Sequence, residues 1–207
     1  MHLLKRITTL RNGSIRQIID KRIDEFRELK EKGNREIFKE LCFCILTANF
    51  NAERSIEIQK GIGDGLIYES EEELALKLRK MGHRFPETRA EYIVEARRFQ
   101  DSIKEILASL DERDHKREWL VKNIKGIGYK ESSHFLRNIG YLDYAIIDFH
   151  IIDLLEKEGM IERPKTLTKK RYLMIESLLR DVAERVNMAV GELDLYLWYM
   201  ETGKVLK

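Results

Sequence analysis

A chain of 207 residues with 43% hydrophobic side chains holds enough apolar material for one large domain or two small interlocked ones, which excludes a peptide or a disordered tail. Lys and Arg (38) nearly cancel Asp and Glu (36), so the net charge of +2 excludes a broadly basic surface and confines any polyanion-binding face to a local patch. No apolar run reaches the roughly 18 residues that span a bilayer, and the N-terminus lacks a secretory signal pattern, so an intracellular, cytoplasmic chain is expected.

Nearly every long segment has helical apolar spacing, and only Pro86 and Pro164 interrupt the chain, so the predicted fold class is all-α. Ser14 is placed to cap a first helix whose Ile15, Ile18, Ile19, Ile23 and Phe26 share a face, with Gly33 and Asn34 closing it. A second helix over Glu36 to Thr47 is apolar almost all round, as a core helix is. Cys42 and Cys44 fall inside it, at a spacing that suits neither a disulfide framework nor a four-thiolate metal centre, and are expected as buried thiols.

Asn51 to Ile62 is the next predicted helix, then a glycine-rich turn (Gly61, Gly63, Gly65) and a capping box, Ser70 with Glu73, opening Glu71 to Met81. Thr88 is expected to open one long helix, Arg89 to Leu110, with Tyr92, Ile93, Ala96, Phe99, Ile103, Ile106 and Leu107 inward. Lys116 to Asn123 follows, and beyond His150 come Ile151 to Lys157, Thr168 to Val186 and Glu192 to Met200. No repeat, low-complexity tract or linker appears, so residues 1–207 are read as one unit of two helical subdomains with a groove between them.

The most informative stretch runs from Trp119 through Lys-Gly-Ile-Gly-Tyr-Lys130 to Leu136: an apolar helix end, a Gly-Ile-Gly turn and a second apolar-periodic helix, a helix-hairpin-helix over about residues 116–137. Glycine at 126 and 128 gives the turn its backbone freedom and leaves bare amides that can approach a phosphate closely, a grip that reads no sequence. Lys130 stands near the positive end of the second helix, a setting that favours a neutral, nucleophilic amine. Downstream, Tyr144-Ala-Ile-Ile-Asp148 places a carboxylate in an apolar run, where it needs a partner; Asp148 can cap the following helix and serve chemistry at once.

These three features together resemble the helix-hairpin-helix DNA glycosylase superfamily: a Gly-hydrophobic-Gly hairpin, a lysine in its bifunctional members, and an aspartate ending a short apolar run. Two cysteines exclude the four-cysteine iron-sulfur cluster that many members carry. Thr47-Ala-Asn-Phe-Asn-Ala-Glu-Arg54 resembles the element by which 8-oxoguanine glycosylases hold the cytosine left behind, with Asn49 and Arg54 as the opposite-base contacts. The short length, the hairpin and the ending Gly-Lys-Val-Leu-Lys207 look most like the compact archaeal-type 8-oxoguanine DNA glycosylase/AP lyases, nearly end to end.

That resemblance implies a base-excision-repair enzyme, both glycosylase and lyase, acting on double-stranded DNA containing 8-oxoguanine through a lysine Schiff base on Lys130, with Asp148 as its catalytic partner. It implies base recognition by Lys207, Phe85 and Trp198, since an extruded base needs flat surfaces to replace its stacking, and phosphate contact at Gly126, Gly128 and His150. No cofactor is required; a structural sodium or potassium ion is expected on the main-chain carbonyls of Lys122, Ile124 and Ile127. The expected working form is a monomer with no membrane partner. Two other readings compete: a noncatalytic helix-hairpin-helix grip, which has no need of Lys130 and Asp148 together, and a glycosylase for another damaged base.

Overall fold

The computed structural model describes residues 2–110 and 112–207, with Arg113 by its backbone alone. Among the described residues every regular element is a helix, as the periodicity predicts. In chain order these are α1 (His2–Arg11), α2 (Ile15–Glu31), α3 (Asn34–Thr47), α4 (Ala52–Ile62), α5 (Gly65–Tyr68), α6 (Glu71–Lys80), α7 (Pro86–Ala96), α8 (Ile103–Ala108), α9 (Arg113–Asn123), α10 (Tyr129–Asn138), α11 (Phe149–Lys157), α12 (Lys169–Arg185) and α13 (Val190–Thr202). No described helix is long and apolar enough to cross a membrane.

The helices form two compact units. A continuous unit comprises residues 29–135, and a discontinuous unit joins the N-terminal end, to residue 28, with residues 136–207. In the continuous unit α3 is the central strut, packed by α4, α5, α7 and α8. Its residues Ile37, Phe38, Leu41, Cys42, Phe43, Cys44, Ile45 and Leu46 are all buried, so the run that is apolar all round is a core helix. Both thiols are fully buried, and burial pushes the Cys42 thiol well above its ordinary range.

In the discontinuous unit α13 takes the central place, packed by α1, α11 and α12. Ile15, Ile19, Ile23 and Phe26 of α2 form an apolar cluster with Leu195 and Tyr196 of α13, against which Val205 of the C-terminal segment also packs. Ile18, expected on that inward face, is instead exposed, because the buried stripe keeps the narrower four-residue spacing of 15, 19 and 23.

Three expected boundaries are corrected. The long helix from Arg89 to Leu110 is two helices, α7 and α8, separated by a 3-10 turn at Arg97–Phe99, and it opens at Pro86 rather than Thr88. The apolar spacing continues across the break, since Ile93, Ala96, Ile103 and Leu107 are all buried. What breaks the helix lies far away in sequence: the Asn34 carboxamide accepts from the Lys104 N–H at 2.8 Å and donates to the Asp101 carbonyl at 3.0 Å, so α8 starts from a cap supplied by α3. Arg97 likewise turns to donate to the carbonyls of Leu66 and Glu69.

The helix expected as the first is α2, since α1 before it was not predicted, and Gly33 and Asn34 do not close it: Gly33 is the N-cap of α3 and Asn34 its first residue. The stretch read as a glycine turn also carries more helix than expected, with Gly61 inside α4 and Gly65 opening α5; only Gly63, at φ +56°, acts as a stop. Two helix starts hold as expected. Ser70 and Glu73 form the reciprocal capping box of α6, and Thr168 caps α12 through the Arg171 N–H.

Candidate active site and DNA-contact residues

The hairpin is α9, the turn 124–128, and α10. Its turn requires glycine at 126 for two reasons: φ is +84°, and a β-carbon there would lie 2.2 Å from Cδ2 of Tyr92 on α7. The turn is docked on α7 further by Lys125, whose ammonium pairs with Glu91 at 2.6 Å and Glu95 at 3.3 Å. Arg117 of α9, almost fully buried, holds the two hairpin helices together: it donates to the Ser133 hydroxyl at 3.2 Å and lies 5.0 Å from the Tyr129 ring centre, while the Tyr129 hydroxyl donates to Glu118.

Gly128 directly precedes α10, and its carbonyl accepts the Ser132 N–H at 2.9 Å. Its own N–H donates to the Glu131 carboxylate at 3.2 Å. Lys130, the second residue of α10, extends its ammonium to the other oxygen of that carboxylate at 3.1 Å and keeps 31% of its side chain exposed. Sequence reasoning passed over Glu131; the half of a capping box that it forms with Gly128 was legible as Gly-x-x-Glu at a helix start. Among the described residues no hydrogen bond reaches the carbonyls of Lys122, Ile124 or Ile127.

The segment carrying Asp148 belongs to the discontinuous unit. Residues 144–147 are buried yet adopt neither helix nor strand, so their amides need partners from elsewhere. Three buried side chains supply them: Glu176 accepts the Ala145 N–H at 3.1 Å, Asp194 the Ile146 N–H at 3.2 Å, and the Tyr172 hydroxyl the Ile147 N–H at 3.3 Å while donating to the Ala145 carbonyl at 2.7 Å. Asp194 is held in turn by Arg137 at 2.5 Å. Glu176, Tyr172 and Asp194 are thus what the sequence reading missed: a scaffold whose only signal was buried polar residues on otherwise apolar helix faces.

This scaffold delivers Asp148 as the N-cap of α11, its side chain accepting the Ile151 N–H at 3.0 Å, as the capping reading expects. One carboxylate oxygen suffices for the cap, and the side chain stays partly exposed. His150 stands two residues on, its ring 4.0 Å from that of Phe149 and edge-on to Trp198 at 4.9 Å. The Trp198 indole N–H is buried with no hydrogen-bond partner among the described residues, which leaves a donor to spare beside the ring. The C-terminal segment packs back on its unit: Gly203 ends α13 in the left-handed conformation, Val205 packs on the apolar cluster, and Lys207 is half-buried.

The remaining candidates lie together in the continuous unit. Asn49 sits just past α3 with φ +58° and is exposed, the conformation in which a short amide side chain is tolerated best. Arg54 of α4 donates to the Met81 carbonyl at 2.9 Å and pairs with Glu57 at 2.7 Å, which ties it to the turn leading to Phe85. His83 donates from Nε2 to the Leu46 carbonyl at 3.0 Å, and Arg89 to the Ala48 carbonyl at 2.6 Å. Phe85 is half-buried at the start of α7, with the guanidinium groups of Arg84 and Arg89 5.0 and 5.5 Å from its ring centre. His83, Arg84 and Arg89 were not singled out from sequence: the main-chain carbonyls that His83 and Arg89 bond lie 37 and 41 residues away, and Arg84 beside Phe85 carries no pattern of its own.

A family model described as 8-oxoguanine DNA glycosylase matches residues 19–188. The 8-oxoguanine DNA glycosylase/AP lyase of Methanocaldococcus jannaschii is 59% identical over 208 residues, covering 100% of both chains, and that of Korarchaeum cryptofilum is 53% identical over 99% of this chain and 98% of its own. Among solved structures, the M. jannaschii 8-oxoguanine glycosylase/lyase in complex with a 15mer DNA containing 8-oxoguanine superposes with a TM-score of 0.97, covering 100% of each chain. The 8-oxoguanine DNA glycosylase of Thermotoga maritima, 46% identical, gives 0.92 over 100% of this chain and 99% of its own.

Proposed function

This chain belongs to the 8-oxoguanine DNA glycosylase family, and from that premise we propose how its residues remove 8-oxoguanine from DNA and then break the strand. It is a glycosylase and an AP lyase in one chain, a DNA-repair enzyme whose substrate is double-stranded DNA containing 8-oxoguanine. The observations that carry the assignment of roles are two helix starts, each within its own unit: Lys130 in the first turn of α10, two residues after the second hairpin glycine, and Asp148 capping α11 at the end of a scaffolded apolar segment.

The damaged nucleotide leaves the base stack before the chemistry, because its C1′ is out of reach inside the duplex. The Lys130 amine, once free of its proton, attacks C1′; the C1′–N9 bond breaks and its electron pair leaves with the base, which takes up a proton. Asp148 stays ionised and stabilises the positive charge that develops on the sugar, as oriented carboxylates do at oxocarbenium-like centres. The adduct opens to an imine, a proton is lost from C2′, and the C3′–O bond breaks to release the 3′ phosphate. Water then frees the lysine.

Phe85 and Trp198 supply the flat surfaces that receive the extruded base, Lys207 separates 8-oxoguanine from guanine, and Asn49 and Arg54 contact the cytosine left behind. The turn amides of Gly126 and Gly128, with His150, take the phosphates. The carbonyls of Lys122, Ile124 and Ile127 would hold a sodium or potassium ion, since oxygens without donors at a helix end and in the turn after it suit a hard cation, and the ion would add positive charge for the phosphate without a basic side chain. The protein acts as a monomer.

Single-turnover excision from two duplexes, identical except for 8-oxoguanine or guanine opposite cytosine, tests the substrate. The expected result is base release and strand cleavage on the first duplex alone, with the discrimination weakened by removal of Lys207. Equal cleavage of both, or activity confined to other damaged bases, contradicts it.

A further inference from the structure

Glu131 is placed between the two functions of the hairpin. One carboxylate oxygen accepts the Gly128 N–H at 3.2 Å, an amide of the turn, and the other pairs with the Lys130 ammonium at 3.1 Å. Its side chain is only 14% exposed. Its other charged neighbour is Arg89 of α7, whose guanidinium feels the Glu131 charge. Two other charges of the hairpin are engaged elsewhere: Lys125 with Glu91 and Glu95, and Glu118 with the Tyr129 hydroxyl.

Two demands of the proposed chemistry conflict with this arrangement. A phosphate that takes the Gly128 N–H needs the position the carboxylate occupies, and two anions do not share one donor at that distance. Attack at C1′ needs the Lys130 nitrogen released from its ion pair, because an ammonium held by a carboxylate has no lone pair to offer. Both conflicts are relieved by the same movement, the departure of one side chain.

We propose that Glu131 is a positioning residue that stores Lys130 as an ion pair in the free protein and leaves both the lysine and the Gly128 amide when a DNA phosphate arrives at the turn. Grip on the backbone and release of the nucleophile are then one event. The carboxylate acts through Lys130 and touches neither base nor sugar. The inference rests on the reading of Lys130 as nucleophile.

Glu131→Gln separates a lock from a cap. The amide oxygen of Gln still accepts the Gly128 N–H, so the start of α10 is preserved, while the charge that holds the ammonium is gone. The measurement is the single-turnover rate of base excision against pH, at subsaturating protein, where the profile reports the free protein, and at saturating protein, where it reports the complex, alongside the affinity for an undamaged duplex of the same length, for the unaltered protein, Glu131→Gln and Lys130→Gln. At subsaturating protein the acidic limb of the Glu131→Gln profile moves to lower pH, giving a rate about two- to fivefold above the unaltered protein on that limb, the weight of a part-exposed ion pair. At saturating protein the rate is unchanged, and the undamaged duplex binds more tightly, since no carboxylate must be displaced.

A Glu131→Gln profile that superimposes on the parent's, with unchanged affinity, reduces Glu131 to a cap and overturns the inference. So does a rate lowered equally at every pH. Excision and imine formation that persist in Lys130→Gln would instead overturn the reading of the nucleophile, so the two failures are distinguishable.

Discussion

His83 Nδ1 accepts the Phe85 N–H at 3.1 Å while its Nε2 donates to the Leu46 carbonyl at 3.0 Å, so a neutral imidazole fastens the turn that presents the Phe85 ring to the end of α3. Burial, reinforced by the nearby Arg89 charge, pushes this imidazole below its ordinary range. The unfolded chain therefore binds a proton below about pH 6.5 that the folded chain refuses, and stability is lost as pH falls from there, by at most about 1.4 kcal/mol per pH unit. Thermal melting of the parent should decline between pH 7 and 5 more steeply than that of His83→Asn, whose amide oxygen can still accept the Phe85 N–H. Parallel curves would show that the imidazole does not carry this turn.

Gly126→Ala combines a positive φ with a collision against the Tyr92 ring. Each effect costs on the order of 1–2 kcal/mol, so a loss of about 2 kcal/mol or more is expected in urea denaturation. Tyr92→Ala in the same background should recover the steric part and leave the backbone part. Gly128→Ala, where an added β-carbon meets nothing closer than 3.5 Å, should be tolerated in stability and should instead weaken DNA binding if that amide faces a phosphate.

Asp148→Asn keeps an oxygen for the Ile151 N–H and removes the charge. Melting should stay within about 1 kcal/mol of the parent, since a capping oxygen is retained, while base excision falls by about a hundredfold or more with the loss of a charge aimed at the transition state. A matched fall in stability and activity would mean that Asp148 is a cap and nothing else.

The parts of this molecule that were legible in sequence are those in which a residue's role is decided by its near neighbours. The α6 capping box, the hairpin around Gly126 and Gly128, and Asp148 as a helix start all rest on groups within four residues of one another. What sequence concealed depends on partners far along the chain. Asn34 caps α8 from 70 residues away, and so breaks a helix whose apolar spacing runs on undisturbed. Glu176 and Asp194 hold the amides before Asp148 from 31 and 48 residues away. Glu131 differs from these: its bridge to Gly128 was legible as a local Gly-x-x-Glu pattern, but the ion pair that its other oxygen makes with Lys130 shows only in the structure.

If Lys130 is the nucleophile, borohydride trapping on a labelled duplex with one 8-oxoguanine opposite cytosine should capture it, with the unaltered protein compared with Lys130→Gln. A covalent protein–DNA adduct is expected for the unaltered protein, mapped to the peptide containing Lys130, and none for the variant, which should still bind the duplex. An adduct of equal yield in the variant, or one mapped to another lysine, would contradict that role.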